Sequence, residues 1–262
     1  MVQYKKRRNQ RILLALILLG SFIWSLLALP KENLVHAGGL SLIKEFFLSI
    51  FQIQISIESI QTTLNAIVLT VVYASAGIGL SIVIGLVFGL LSSTLICKGR
   101  IGSIVRFLFK GLTGFMRGIH ELVWAWLFVA AIGLTPFAGV LAIALPYGEM
   151  LALNYRNNFD SAPKKPMQSL KEAGAGRMQV VLYGLFPQVF PEMISFTISI
   201  YECAVRASAI MSFVGLGGIG FQIQLALKDM KFSLVWMNVF ALVLVVVLID
   251  LWSSELRKRL HV

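Results

Sequence analysis

Long apolar runs separated by short polar stretches dominate the chain, and the first of them follows a basic opening, MVQYKKRRNQR. A hydrocarbon core about 30 Å thick takes roughly 20 apolar residues per helical crossing, so the run at residues 12–29 predicts a first transmembrane helix. A signal peptide is the other reading, with LVHA ending at Ala37 as a passable cleavage site, although its apolar region is ordinarily only about 7 to 15 residues. Residues 40–57, interrupted by Lys44, Glu45, Gln52 and Gln54, suit a helix lying on the outer surface. Residues 59–97 reach about 58 Å if wholly helical and predict one tilted or kinked span with an extended outer end. Gly77, Gly79, Gly85 and Gly89 within it let other helices approach closely.

Residues 98–117, KGRIGSIVRFLFKGLTGFMR, set Lys98, Arg100, Arg106, Lys110 and Arg117 among apolar positions, the pattern of an interfacial helix with basic ends and faces. Residues 119–133 predict a short span, Pro136 breaks the chain after a tight turn, and residues 137–155 return across the membrane. A polar segment follows at 156–185, then a crossing at 186–214. The glycine stretch and KDMK form an outer connection, and 232–252 make the last crossing before ELRKRLHV. The expectation is an all-α membrane protein of six transmembrane helices with both ends on one side. It divides into an N-terminal helix and outer segment (1–57), a main transmembrane domain (58–252) and a basic tail (253–262).

Composition agrees: 58% of residues are hydrophobic and 13% charged, with a mean hydropathy of +0.84, which leaves little chain for a soluble domain. The net charge of +11 raises nucleic acid as a partner, but placement explains it better. With the N-terminus inside, inner segments hold five basic residues before the first span, five at 98–117, five at 156–177 and three at the C-terminus. The outer segments hold only Lys31, Lys44, Lys228 and Lys231, and Arg206 falls within a span. That asymmetry satisfies the positive-inside rule, makes both termini cytoplasmic and removes the case for nucleic acid. Cys97 and Cys203 lie in or beside apolar runs far apart and read as small apolar fillers. His36, His120 and His261 do not cluster, so no metal site is expected.

SFVGLGGIGF places Gly215, Gly217 and Gly220 in the spacing G-x-G-x-x-G. As a dinucleotide fingerprint it needs a βαβ unit and an acid about 20 residues on. Here it lies between two spans and the next acid, Asp229, comes too early. Clustered glycines at membrane depth point instead to broken helix, tolerated where protein or a polar cavity covers the backbone. No G-x-x-x-x-G-K-[ST] loop is present, so the chain is not expected to hydrolyse ATP itself. Glu202 and Arg206 stand four apart in an apolar stretch, adjacent on a helix face. Each alone costs about 2.5 to 3.5 kcal/mol at mid-membrane. They read as an ion pair, either purely structural or with Arg206 also meeting an anionic substrate. Glu149, in ALPYGEM, either faces the pathway, snorkels or pairs with a basic residue.

The inner segment QSLKEAGAGRMQVVLYGLFPQVFP, residues 168–191, resembles the EAA loop of ABC importer permeases, a short coupling helix, a glycine turn and a proline at the membrane entrance. Gln168 stands where that family has glutamate, Ser169 where it has alanine and Phe186 where it has leucine, while the spacing to Gly174 and Pro187 is kept. Downstream, FPQVFPEMISFTISIYECAVRASAIMSFVGLGGIG, and upstream, HELVWAWLFVAAIGLTPFAGVLAIAL, resemble the permeases of phosphonate and phosphite importers, with His120 in place of a proline. The likeness covers roughly residues 58–252. It implies a type I ABC importer permease fold in the bacterial inner membrane. Gln168, Ser169, Leu170, Glu172, Ala173, Gly174 and Pro187 would couple to the ATPase, and Gly215, Gly217, Gly218 and Gly220 would form the gate. The implied partners are a second copy of the chain, two ABC ATPase subunits that use ATP and Mg, and an extracytoplasmic substrate-binding protein. A permease for methionine or another amino acid is the nearest alternative. An ATP-independent channel or secondary transporter is another, and it predicts internal hydropathy repeats that the sequence lacks.

Overall fold

A computed structural model describes residues 2–28, 39–52, 56–94 and 99–260 of the chain. Ala37 and the cleavage site it would mark, with Lys31, His36, Cys97, Lys98 and His261, lie outside the described residues. Among the described residues every regular element is a helix. They fall into two compact units, Met1–Leu48 and Ser49–Val262. The first holds α1 (Val2–Ala28), whose apolar part Ile12–Ala28 is helical throughout, and α2 (Gly39–Leu48).

The second unit starts with a short 3-10 turn at Ser49–Gln52 and continues through α3 (Ile57–Ser92), α4 (Gly99–Arg117), α5 (Glu121–Ile132) and α6 (Pro136–Ser161). Then come α7 (Lys164–Glu172), the single turn α8 (Arg177–Gln179), a π-helical segment Val180–Leu185, α9 (Phe186–Met211), α10 (Ile219–Lys228) and α11 (Phe232–Leu260). Four helical segments among the described residues are long and apolar enough to cross a membrane: α3, α6, Val180–Val214 and α11. The region expected to be one interfacial helix and one short span forms α4 and α5, bent by 94° at their junction, and these pass as a span only as a pair. Twelve residues of α5 reach about 18 Å, too little to cross alone. The anticipated basic tail is not a separate segment, because α11 runs unbroken to Leu260.

Pairing of α3 and α6 builds the core. Ser56 and Ser59 cap α3 reciprocally, each hydroxyl accepting from the other's backbone N–H at 3.1 Å, which satisfies two of the first-turn donors. Beyond the cap the helix holds 36 residues without a break, about 54 Å. Its glycines let α6 approach. A Cβ at Gly77 would lie 2.5 Å from the Ile143 side chain, one at Gly85 2.7 Å from Leu151, and one at Gly148 of α6 2.9 Å from Ile84. Gly79 has no such neighbour, so only some of the glycines expected to mediate close packing do so. Pro146 sits inside α6, where it removes one helical N–H. Nearby, Ser81 of α3 donates to both the Gly77 and the Ala144 carbonyls, at 2.8 and 3.1 Å. At the far ends of the pair, Asp160 Oδ1 accepts from Ser93 Oγ, Thr94 Oγ1 and the Thr94 N–H at 2.7 to 2.9 Å.

Candidate functional site

The segment proposed for coupling is built as a short helix with one apolar face. Along α7, Met167 is buried and Leu170 half-buried, whereas Lys164, Lys165, Gln168, Ser169, Lys171 and Glu172 are exposed. Gln168 donates to Glu172 one turn on, at 3.0 Å. Gly174 ends the helix at φ +86°, the left-handed conformation a Cβ disfavours. The Ala175 N–H reaches back to the Leu170 carbonyl and the Gly174 N–H to Lys171, both at 3.0 Å. The turn sends the chain back under α7, where Met167 and Leu170 meet the π-helical segment at Gly184. A Cβ there would lie 2.9 Å from Leu170 Cδ1.

The π-helical segment has a cause in the sequence. Pro187 carries no N–H, and in a regular helix its ring crowds the carbonyl four residues back. The wider turn accommodates this: the Phe186 N–H bonds the Val181 carbonyl five residues back, and the Gln188 side-chain amide donates to the Gly184 carbonyl. Gly184 was not singled out by sequence, although YGLFP, a glycine just ahead of a proline, is the signal that marks it.

The glycine cluster forms a reversal between α9 and α10. Gly215, Gly217 and Gly218 have φ of +97°, +80° and +93°, and Gly220, in the first turn of α10, packs where any Cβ would run into the Ala209 carbonyl. The reversal is stitched to the middle of α3. Thr70, 13 residues after Ile57 and so about 20 Å along that helix, accepts from the buried Ile219 N–H at 2.9 Å and donates to the Ala66 carbonyl at 2.8 Å. Ser208 donates to the Thr70 carbonyl at 2.9 Å, and Tyr73 donates to Leu216 at 3.0 Å. These bonds cover backbone that the break in helix would otherwise strand.

The charged residues pair differently from the sequence expectation. Glu202 accepts from Arg257 of α11 at 2.7 Å and from Ser253, with Arg257 also donating to Ser199 at 2.7 Å. No bond joins Glu202 to Arg206 among the described residues. Four-residue spacing puts the two on neighbouring turns, but Glu202 Oε1 is taken by Arg257 Nη1 and by the Ser253 hydroxyl, both from α11. Arg206 is exposed and, among the described residues, donates only to Cys203 Sγ, at 3.5 Å. Glu149 is 1% exposed and is held by Arg117, whose Nε donates at 3.0 Å and whose Nη2 also reaches the same oxygen. It is thus the anchor of the α4 C-terminus and presents no free carboxylate. Beside it Tyr147 donates to Glu121 at 2.9 Å and approaches the Cys203 carbonyl at 3.3 Å. His120 caps α5, its Nδ1 accepting from Leu122 N–H at 3.2 Å. No group of three or more potential metal ligands occurs among the described residues.

Residues 81–262 match the family described as binding-protein-dependent transport system inner membrane component. The phosphite transport system permease protein PtxC of Stutzerimonas stutzeri is 34% identical over 144 residues, 55% of this chain and 52% of that one. The phosphate-import permease protein PhnE of Mycolicibacterium smegmatis is 28% identical over 145 residues, 55% and 27% of the two chains. The chain thus spans about half or less of the length of these curated relatives. Among solved structures, an inward-facing methionine ABC transporter, MetNI, superposes with a TM-score of 0.67 at 18% identity, covering 79% of this chain and all but 1% of the other. An amino acid ABC transporter with histidines superposes at 0.65 and 14% identity over the same share. At these identities the likeness is one of fold.

Proposed function

The chain belongs to the family of binding-protein-dependent transport system inner membrane components, and from that premise we propose that it is the membrane-spanning subunit of an ATP-driven importer of phosphite, a phosphonate or a related small oxyanion. The observation that carries the reading is the α7 unit. It has an exposed polar face, an apolar face clamped on Gly184, a left-handed Gly174 stop and a proline-adapted entry into α9. A helix held this way moves with α9 and offers its outer side to a partner. That partner is an ABC ATPase, which supplies the ATP and Mg chemistry the chain has no loop for. Two copies of the chain and two ATPases form the complex, with both termini on the ATPase side, and an extracytoplasmic binding protein delivers the oxyanion. Relatives named for phosphite and phosphate transport support the cargo.

The test is uptake in proteoliposomes that contain the chain, its ATPase and its binding protein. Labelled phosphite accumulates only with ATP inside the nucleotide-accessible compartment and with binding protein on the opposite side. Methionine uptake in its place, or phosphite uptake without ATP, overturns the reading.

A further inference from the structure

Arg257 satisfies Glu202, and that leaves Arg206 without a carboxylate partner among the described residues. Its one hydrogen bond there is to a thiol, a weak acceptor. The side chain is exposed, as are Ile210 and Phe213 on the next two turns. It stands five residues before the end of α9, but the chain beyond that end turns into the reversal bonded to Thr70 and Tyr73, well inside α3, instead of running to an interface where an arginine snorkels. Cys203, three residues before it, meets Tyr147, which is 11 residues into α6, about 16 Å. The reversal that follows α9 is bonded to Tyr73, 16 residues into α3, about 24 Å. A guanidinium facing hydrocarbon at that depth is costly, and intramembrane charges turn to water-filled cavities or protein.

Resting on the function proposed above, we propose that Arg206 lines the translocation pathway and holds the phosphorus oxyanion in transit. Guanidinium N–H groups match the oxygens of such a headgroup with charge-assisted bonds. The Tyr147 hydroxyl is already turned to Glu121 and the Cys203 carbonyl, so a single guanidinium carries the attraction. One charge suits a transit site, where the ion must leave as well as enter.

Two arms test this in the reconstituted complex with its ATPase and binding protein. In a chain carrying Cys97→Ser, Cys203→Ser and Ile210→Cys, which puts the cysteine one turn from an intact Arg206 at an exposed position, a water-soluble sulfonate thiol reagent labels the cysteine, and phosphite-loaded binding protein with ATP slows the labelling several-fold. Separately, Arg206→Gln copurifies with the ATPase yet lowers phosphite uptake about tenfold or more, and Arg206→Lys recovers part of it. Reaction only with a lipid-soluble maleimide overturns the proposal. So does a labelling rate that follows the phosphatidylglycerol content of the vesicles and ignores phosphite, since the oxyanion is then a lipid headgroup. If the wild-type complex carries phosphite and Arg206→Gln stays within twofold of it, only the role of Arg206 fails. If the wild-type complex carries methionine and not phosphite, the function proposed above fails.

Discussion

Arg257, near the end of α11, donates to Glu202 in the middle of α9 at 2.7 Å, and this joins the last helix to the one that runs from the coupling segment to the glycine reversal. Side-chain exposures of 26% and 12% make it a partly buried pair, shielded further by Ser253 and Ser199. Removing either partner strands the other charge. Glu202→Gln or Arg257→Gln is expected to cost about 1 to 3 kcal/mol, less than the 3 to 5 of a fully buried pair. The double substitution costs less than their sum. A double-mutant cycle on thermal unfolding in detergent checks the coupling, and Glu202→Gln with Arg206→Gln, run in parallel, is expected to be additive.

Thr70 ties α3 to the reversal through one hydroxyl. Thr70→Val keeps the shape and removes the acceptor for the Ile219 N–H, a buried donor. An orphaned buried donor costs about 1 to 3 kcal/mol. The expected result is a lower melting temperature, with hydrogen exchange speeded at residues 215–220 more than in α9. Exchange unchanged there shows that another group covers the backbone.

The glycines of the reversal are not equivalent. A Cβ at Gly215 meets only Leu134, at 3.4 Å, whereas one at Gly218 lies 2.6 Å from Ser212 Oγ and 2.8 Å from Thr70 Oγ1. Gly215→Ala therefore carries the backbone penalty alone, about 1 to 2 kcal/mol for a left-handed residue. Gly218→Ala adds the loss of the serine and threonine contacts, and Gly220→Ala must displace the backbone of α9. Folded yield from membranes is expected to fall in the order Gly215→Ala, Gly218→Ala, Gly220→Ala. Equal yields mean that the reversal adjusts freely.

Much of this was legible because hydropathy and glycine carry local information. The long runs gave α3, α6, α9 and α11, and the spacing from Gln168 through Gly174 to Pro187 marked a helix, its stop and a re-entry. What escaped depended on distant partners or short elements. Glu202 and Arg206 satisfy the local pairing rule, but Arg257 lies 55 residues beyond Glu202 in what read as a basic tail. IGFQIQLALK, ten residues of α10, is too short for a span and was absorbed into a connection. The boundary between α4 and α5 was legible, but the 94° bend there was not: no proline marks it, and it goes with Arg117 drawn to the distant Glu149 and His120 capping the next helix. Asp160 gave no sequence signal for its role, since its partners are the end of α3.

Gly184 fixes the distance between α7 and the entrance of α9. A Cβ there would lie 2.9 Å from Leu170 Cδ1 and 3.4 Å from Met167 Cγ, so Gly184→Val, whose nearest contacts are all on α7, forces α7 outward. The expected phenotype is normal insertion and yield, with phosphite uptake at least about tenfold lower and ATP hydrolysis no longer stimulated by loaded binding protein. Small-to-large changes at tight contacts ordinarily cost about 1 to 3 kcal/mol, enough to tilt a nine-residue helix without unfolding the chain. Leu170→Ala removes the clashing methyl groups and is expected to restore part of the uptake in the Gly184→Val background. Gly174→Ala serves as the contrast: its Cβ meets nothing within 4 Å, so its defect is conformational and Leu170→Ala does not relieve it. Rescue of both by Leu170→Ala, or of neither, would mean that the Gly184–Leu170 contact does not set the position of α7.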